Sequence, residues 1–201
     1  MIHLAAATAA ACLLACTVQA GPVEVRVTDP SGRPLDGAVV FLESRDAKAA
    51  MKPMPGIEIT QQNKAFVPSV TVVTTGTSVT FPNRDTVRHH VYSFSPVKKF
   101  EIKLYVGTPA APVVFDSPGI AALGCNIHDN MAAWVVVVET PHHGLTGADG
   151  QLSLANVPPG SYQLRSWHAA LPPGEPALSQ PLRVPAAGGA TVVGKFSGLV
   201  P

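Results

Sequence analysis

From Gly21 onward, turn-forming residues cut the chain into runs too short for anything but β-strands. Asp29-Pro30-Ser31-Gly32, Thr75-Gly76, Ala148-Asp149-Gly150 (expected to close a hairpin) and Pro158-Pro159-Gly160 each supply a residue that presets φ or tolerates a positive one. Between them lie Val/Thr/Ile-rich segments. Val23, Val25 and Val27 alternate with polar neighbours, and 38–42 reads as a second strand. Further strands are expected at 57–61, 69–73 and 78–81, and in "HHVYSFS", "FEIKLYV" and "APVVFDSPG". "WVVVVE" is apolar almost throughout, which suits a strand buried on both faces. Leu152 with Leu154, the run from Tyr162, and segments 181–184 and 190–196 complete the set. Twenty prolines, 17 glycines and only 13% charged residues agree with this pattern and leave little material for helices. An all-β protein is expected. Residues 44–55, small, charged and proline-containing, read as a linker.

The first twenty residues, "MIHLAAATAAACLLACTVQA", differ in kind. They are apolar and small, contain no acid, and end in Val18-Gln19-Ala20, a small-x-small cleavage pattern. Residues 1–20 are expected to be a secretory signal, giving a periplasmic or secreted protein that starts at Gly21. Lipidation at Cys16 is the less favoured alternative, because Leu14 fits it poorly. No other stretch has the length of a membrane span. A formal charge of +1 and the lack of any basic run exclude nucleic acid as the main partner.

Cleavage would remove Cys12 and Cys16 and leave Cys125 alone among three cysteines. A single cysteine in an exported protein forms no internal disulfide, so it is buried, paired with another chain, or bound to a metal. "GCNIHDNMAAWVVVVE" places Cys125, His128 and Met131 at even steps of three just before the valine run. Thiolate, imidazole and thioether are three of the four donors of a copper electron-transfer site, which needs one further imidazole. "NRDTVRHHVYSF" offers it as His89 or His90, and neighbours on a strand point to opposite faces. His142, His143 and His168 lack spaced partners and read as surface or packing residues. Lys98 and Lys99 read as solvated lysines. There is no G-x-S-x-G or H-E-x-x-H pattern, so hydrolysis is not expected.

Two resemblances add to this. "VRVTDPSGRPLDGAVVFLE" and "TGADGQLSLANVPPGSYQL" together resemble the carboxypeptidase regulatory-like β-sandwich, an immunoglobulin- or transthyretin-like module, with its halves separated in the chain. That resemblance implies a discontinuous domain of residues 21–45 plus 144–201. Two sequential domains are the alternative. "FPNRDTVRHHVYSF" with "GCNIHDNMAAWVVVVE" resembles the plastocyanin- and amicyanin-type cupredoxins, whose pattern is N-R-E-x-x-P-H-N-V and then C-x-x-H-x-x-M before a valine-rich strand. It implies a Greek-key cupredoxin sandwich over residues 56–141, inserted into or flanked by the other. The combination is similar to exported proteins often labelled methylamine-utilisation proteins.

Carried over residue by residue, the resemblance implies one copper ion held by His89, Cys125, His128 and Met131. His90 falls on the pattern's Asn and is either a neighbour of the site or the alternative first ligand. Arg88 stands where the pattern has proline, and Asp129 where amicyanins have proline. His128 is expected nearest solvent, among Ile127, Ala132 and Ala133. The implied function is that of a non-enzymatic carrier of single electrons between redox proteins, such as a c-type cytochrome or a dehydrogenase. A copper-binding or delivery protein without electron transfer, or a β-sandwich interaction module, are the alternatives.

Overall fold

In the structure, a computed structural model, residues 20–172, 174–187 and 189–196 are described. The secretory signal expected at 1–20, with Cys12 and Cys16, lies outside them but for Ala20. Among the described residues the fold is all-β apart from one helical turn-and-a-half. In chain order the elements are β1 (Gly21–Thr28), β2 (Val39–Glu43), α1 (Arg45–Ala50), β3 (Ile57–Glu58), β4 (Thr60–Gln62), β5 (Ala65–Val67) and β6 (Val70–Thr74). There follow β7 (Thr77–Thr80), β8 (His89–Ser93), β9 (Phe100–Tyr105), β10 (Val113–Phe115), β11 (Gly119–Gly124) and β12 (Ala132–Val138). The last five are β13 (His143–Leu145), β14 (Gln151–Val157), β15 (Gly160–Trp167), β16 (Leu178–Val184) and β17 (Ala190–Lys195).

Two groups of sheets result. β14-β1-β17 and β13-β2-β15-β16 enclose one core, built on Val23, Val25, Val27, Leu42, Leu164 and Phe196. β1 and β2 thus pair with strands that follow β12 in the chain. The intervening strands form β6-β12-β11-β8-β9 and β10-β7-β3, with the β4-β5 ribbon alongside. Their core contains Ile59, Phe66, Phe81, Val91, Phe115 and Leu123. β12 serves both. Its Ala133, Val135 and Val137 lie in the second core, while Val136 and Val138 lie in the first. A strand that alternates between two apolar surroundings has no polar face, hence the unbroken valines.

Three expectations need correction. Residues 44–55 are not all linker: α1 forms there because Ser44 caps it, its hydroxyl accepting the Ala47 N–H at 3.0 Å, and Ala47 is buried. The segment 57–61 is two short strands in different sheets, β3 beside β7 and β4 beside β5. The Ala148-Asp149-Gly150 turn is present, with Asp149 Oδ1 accepting the Gln151 N–H, but it closes no hairpin. β13 and β14, on its two sides, belong to different sheets. Gly150 is required there: φ is +69°, and a Cβ would stand 2.5 Å from the Val27 carbonyl oxygen. His143 belongs to a sheet, since β13 pairs it with Phe41. Strands β5, β11 and β13 are not apparent from the sequence. Among the described residues no helix is long and apolar enough to cross a membrane.

Candidate metal centre

Cys125, His128 and Met131 occupy the loop that joins β11 to β12. The ladder between those strands closes at Gly124 opposite Ala132, so the loop starts at Cys125 and ends at Met131. The Met131 N–H donates to the His128 carbonyl at 3.0 Å, tightening it. β8 lies beside β11, with Tyr92 opposite Gly124, and this brings His89 to the loop. The donor atoms of His89, Cys125 and His128 all lie within 4.8 Å of one another. Cys125 Sγ is 3.9 Å from His89 Nδ1, and the two imidazole centroids are 5.1 Å apart. Met131 is buried in the same cluster as Cys125.

Burial sharpens the chemistry of this group. His89 is wholly buried, Cys125 and Met131 almost so, and His128 is partly exposed. Nε2 of His89 meets Asp85 Oδ2 at 2.7 Å. An ionised carboxylate only accepts, so Nε2 carries the proton and Nδ1 presents its lone pair toward Cys125. Asp85 is itself held: its carboxylate accepts the Asn63 N–H at 2.7 Å and the Lys64 N–H at 2.9 Å. Burial works against charge on Asp85, but the Lys64 amide, the His89 ring and the Asn63 amide outweigh it and keep the carboxyl below its ordinary range. Asn83 frames the loop, donating to the carbonyls of Val87 and Tyr105 and accepting the Asp85 N–H.

Nδ1 of His128 is buried and has no hydrogen-bond partner among the described residues. A buried polar nitrogen without a partner is costly, and here it belongs to a cluster containing a buried thiol and a second bare imidazole nitrogen. Two imidazoles and a thiolate suit a borderline-to-soft transition-metal ion. The donors present therefore fit such an ion.

Other sequence expectations fall as follows. His90 is not in the three-residue group. Its ring packs 5.7 Å from that of Tyr92, and Nε2 lies 3.1 Å from Glu101 Oε1, unaligned for a hydrogen bond. Ile127 and Ala132 are exposed near His128, but Ala133 is not; its side chain enters the core because β12 alternates. Val87 is exposed on the other loop instead. Lys98 is not simply solvated, as it pairs with Asp116 at 3.0 Å, whereas Lys99 is exposed. His142 packs edge-on against Tyr162 and His168 against Phe196, as packing residues do. Asp85 was missed as part of the site. Its spacing of four from His89 across a turn was the available signal.

No protein-family model matches this sequence, and no curated protein does. The solved structures it is similar to are cupredoxin proteins, at low coverage and low overall similarity. They include a point variant of amicyanin in its reduced Cu(I) form (21% identity, TM-score 0.38), aligned over 49% of this chain and 98% of that one. A purple cupredoxin from Nitrosopumilus maritimus aligns at 20% identity and TM-score 0.37, over 41% of this chain and 100% of that one. The copper-containing nitrite reductase from Thermus scotoductus SA-01 aligns at 20% identity and TM-score 0.39, over 56% of this chain and 28% of that one.

Proposed function

We propose that the chain binds a single copper ion through His89, Cys125 and His128, with Met131 as a soft fourth donor, and that it carries single electrons. The observation that supports this most is the convergence of one thiol and two imidazoles within 4.8 Å, with the Nδ1 of His128 buried and unpaired. Copper bound there would supply a one-electron couple between Cu(I) and Cu(II). The chain's part is to hold the donors still. β8 and the two ends of the β11–β12 loop are tied by sheet pairing, which would limit reorganisation on a change of oxidation state. Burial of Cys125 protects the thiol from oxidation by solvent species. His128, partly exposed beside Ile127, is the donor through which a docked redox protein would exchange electrons.

The reading extends to the rest of the chain. The two sheet groups are proposed as two domains, residues 56–141 inserted between 21–45 and 144–201, in a protein exported through its first twenty residues. The second sandwich is proposed to be of the carboxypeptidase regulatory-like kind.

The test is direct. Cu(II) added to pure metal-free protein should give an intense visible thiolate charge-transfer band at one equivalent, and Cys125→Ser should abolish it. Reversible voltammetry should follow. A protein that stays colourless overturns the copper reading, and one that releases its ion on oxidation points to delivery rather than electron transfer.

A further inference from the structure

We propose that Asp85 is a positioning residue of the metal centre, and that the Asn63–Lys64 turn, which offers no metal ligand, holds it in place. The proposal rests on His89 being a ligand.

Asn63 and Lys64 join β4 to β5 and both have left-handed backbones, with φ of 55° and 56°. Successive residues in that conformation turn their N–H groups to one side, forming a small anion-binding concavity. Asp85 fills it, with Oδ1 on the Asn63 amide and Oδ2 on the Lys64 amide. The loop carrying Asp85 is fastened to the same ribbon, since the Arg84 N–H donates to the Gln61 carbonyl at 2.9 Å. One oxygen of the anchored carboxylate then faces Nε2 of His89 at 2.7 Å. No other hydrogen-bond partner meets that ring nitrogen among the described residues.

Two consequences follow for His89. Its tautomer is fixed before any ion arrives, with the proton on Nε2 and Nδ1 bare toward Cys125. Its ring is also made more electron-rich, because a hydrogen bond to an anion shifts density onto the imidazole. A richer imidazole favours the more highly charged metal state. The ribbon therefore tunes a centre to which it contributes no atom. A purely structural staple between the ribbon and the Asp85 loop would leave both properties unmoved.

The experiment uses the full chain in two states. In metal-free protein, long-range nitrogen–proton NMR of the His89 ring should show Nε2 protonated and Nδ1 bare, while Asp85→Ala should show a mixture of tautomers. Asp85→Asn separates tautomer from charge. Its amide oxygen still accepts from Nε2 and from the Lys64 amide, so the tautomer persists, but the anion is gone and the Asn63 amide loses its acceptor. In copper-loaded protein Asp85→Asn should move the Cu(II)/Cu(I) equilibrium toward the reduced form by about tenfold, or about 59 mV. Asp85→Glu should bring it back toward the wild type. A wild-type ring protonated on Nδ1, or an Asp85→Asn protein with unchanged potential, overturns the proposal. If the chain takes up no copper, the proposed function fails, yet the tautomer of metal-free His89 still decides for or against Asp85. If Asp85→Ala does not fold, the wild-type tautomer and the Asp85→Asn potential decide.

Discussion

At Gly124, immediately before Cys125, there is no space for a side chain. A Cβ would come within 2.6 Å of the Tyr92 ring, which lies across the glycine on the neighbouring strand. Gly124→Ala should therefore destabilise the fold by about 1–3 kcal/mol, the usual cost of overfilling a packed site. Urea denaturation would measure it, and the penalty should shrink when Tyr92 is also truncated to Ala. A full penalty in that background would mean that the ring is not the obstacle. Met131 makes the opposite demand. Buried at 2% exposure, it should cost about 2–5 kcal/mol as Met131→Ala but under about 1.5 kcal/mol as Met131→Leu, because leucine refills the volume without the sulfur. At this scale the candidate group was legible: Cys125, His128 and Met131 fall within seven residues, and their chemical types are informative in themselves. Asp85 was not. Its contribution depends on the amide of Asn63, 22 positions earlier, and nothing local to "NRD" reports that a distant turn will grip its carboxylate.

Among the elements, β13 begins at His143, and that residue and the adjoining His142 respond to pH. Burial lowers the pKa of His142, and burial together with the neighbouring His142 lowers that of His143, both from an ordinary 6.5. The cation is thus disfavoured in the folded state relative to the unfolded chain. Below pH 6.5 the unfolded chain takes up protons first, so stability falls with falling pH until the folded pKa values are passed and then levels off. Replacing both residues by glutamine should flatten that part of the stability–pH curve, read as urea midpoints between about pH 7 and pH 5. An unaltered slope would show that the two rings are not the source. The sequence revealed nearly every turn, because glycine, proline and aspartate act locally. It did not reveal which sheet a strand joins after the turn. Thr75-Gly76 carries the chain from the five-stranded sheet to the three-stranded one, and Asp149-Gly150 does the same between β13 and β14. Pairing is decided by burial between residues far apart in sequence, and α1 likewise forms where Ser44 happens to cap a few alanines in a segment composed like a linker.

For the molecule as a whole, the decisive element is β12, whose two faces belong to two cores. A strand shared in this way links the stability of both sheet groups, since neither can lose its core without exposing one side of the same backbone. The chain's two tryptophans stand at that junction. Trp134, on β12, and Trp167, on β15, have ring centroids 6.3 Å apart. Their fluorescence therefore reports the seam, whereas far-ultraviolet circular dichroism reports strands throughout. The two signals should unfold together in a single transition. Val136→Ala, on the face toward the first core, and Val137→Ala, on the face toward the second, should each lower the midpoint of both signals equally, for a stability loss of about 1–2 kcal/mol per truncation. The same coupling would make an ion at the proposed site felt at a distance. An ion bound only by the folded chain stabilises it by about 2.7 kcal/mol at a hundredfold excess over its dissociation constant, and this gain should appear in the tryptophan signal although neither indole is in the ligand group. If fluorescence and circular dichroism separated into two transitions, with metal shifting only one, β12 would be serving two independent folding units and the shared-strand account would fail.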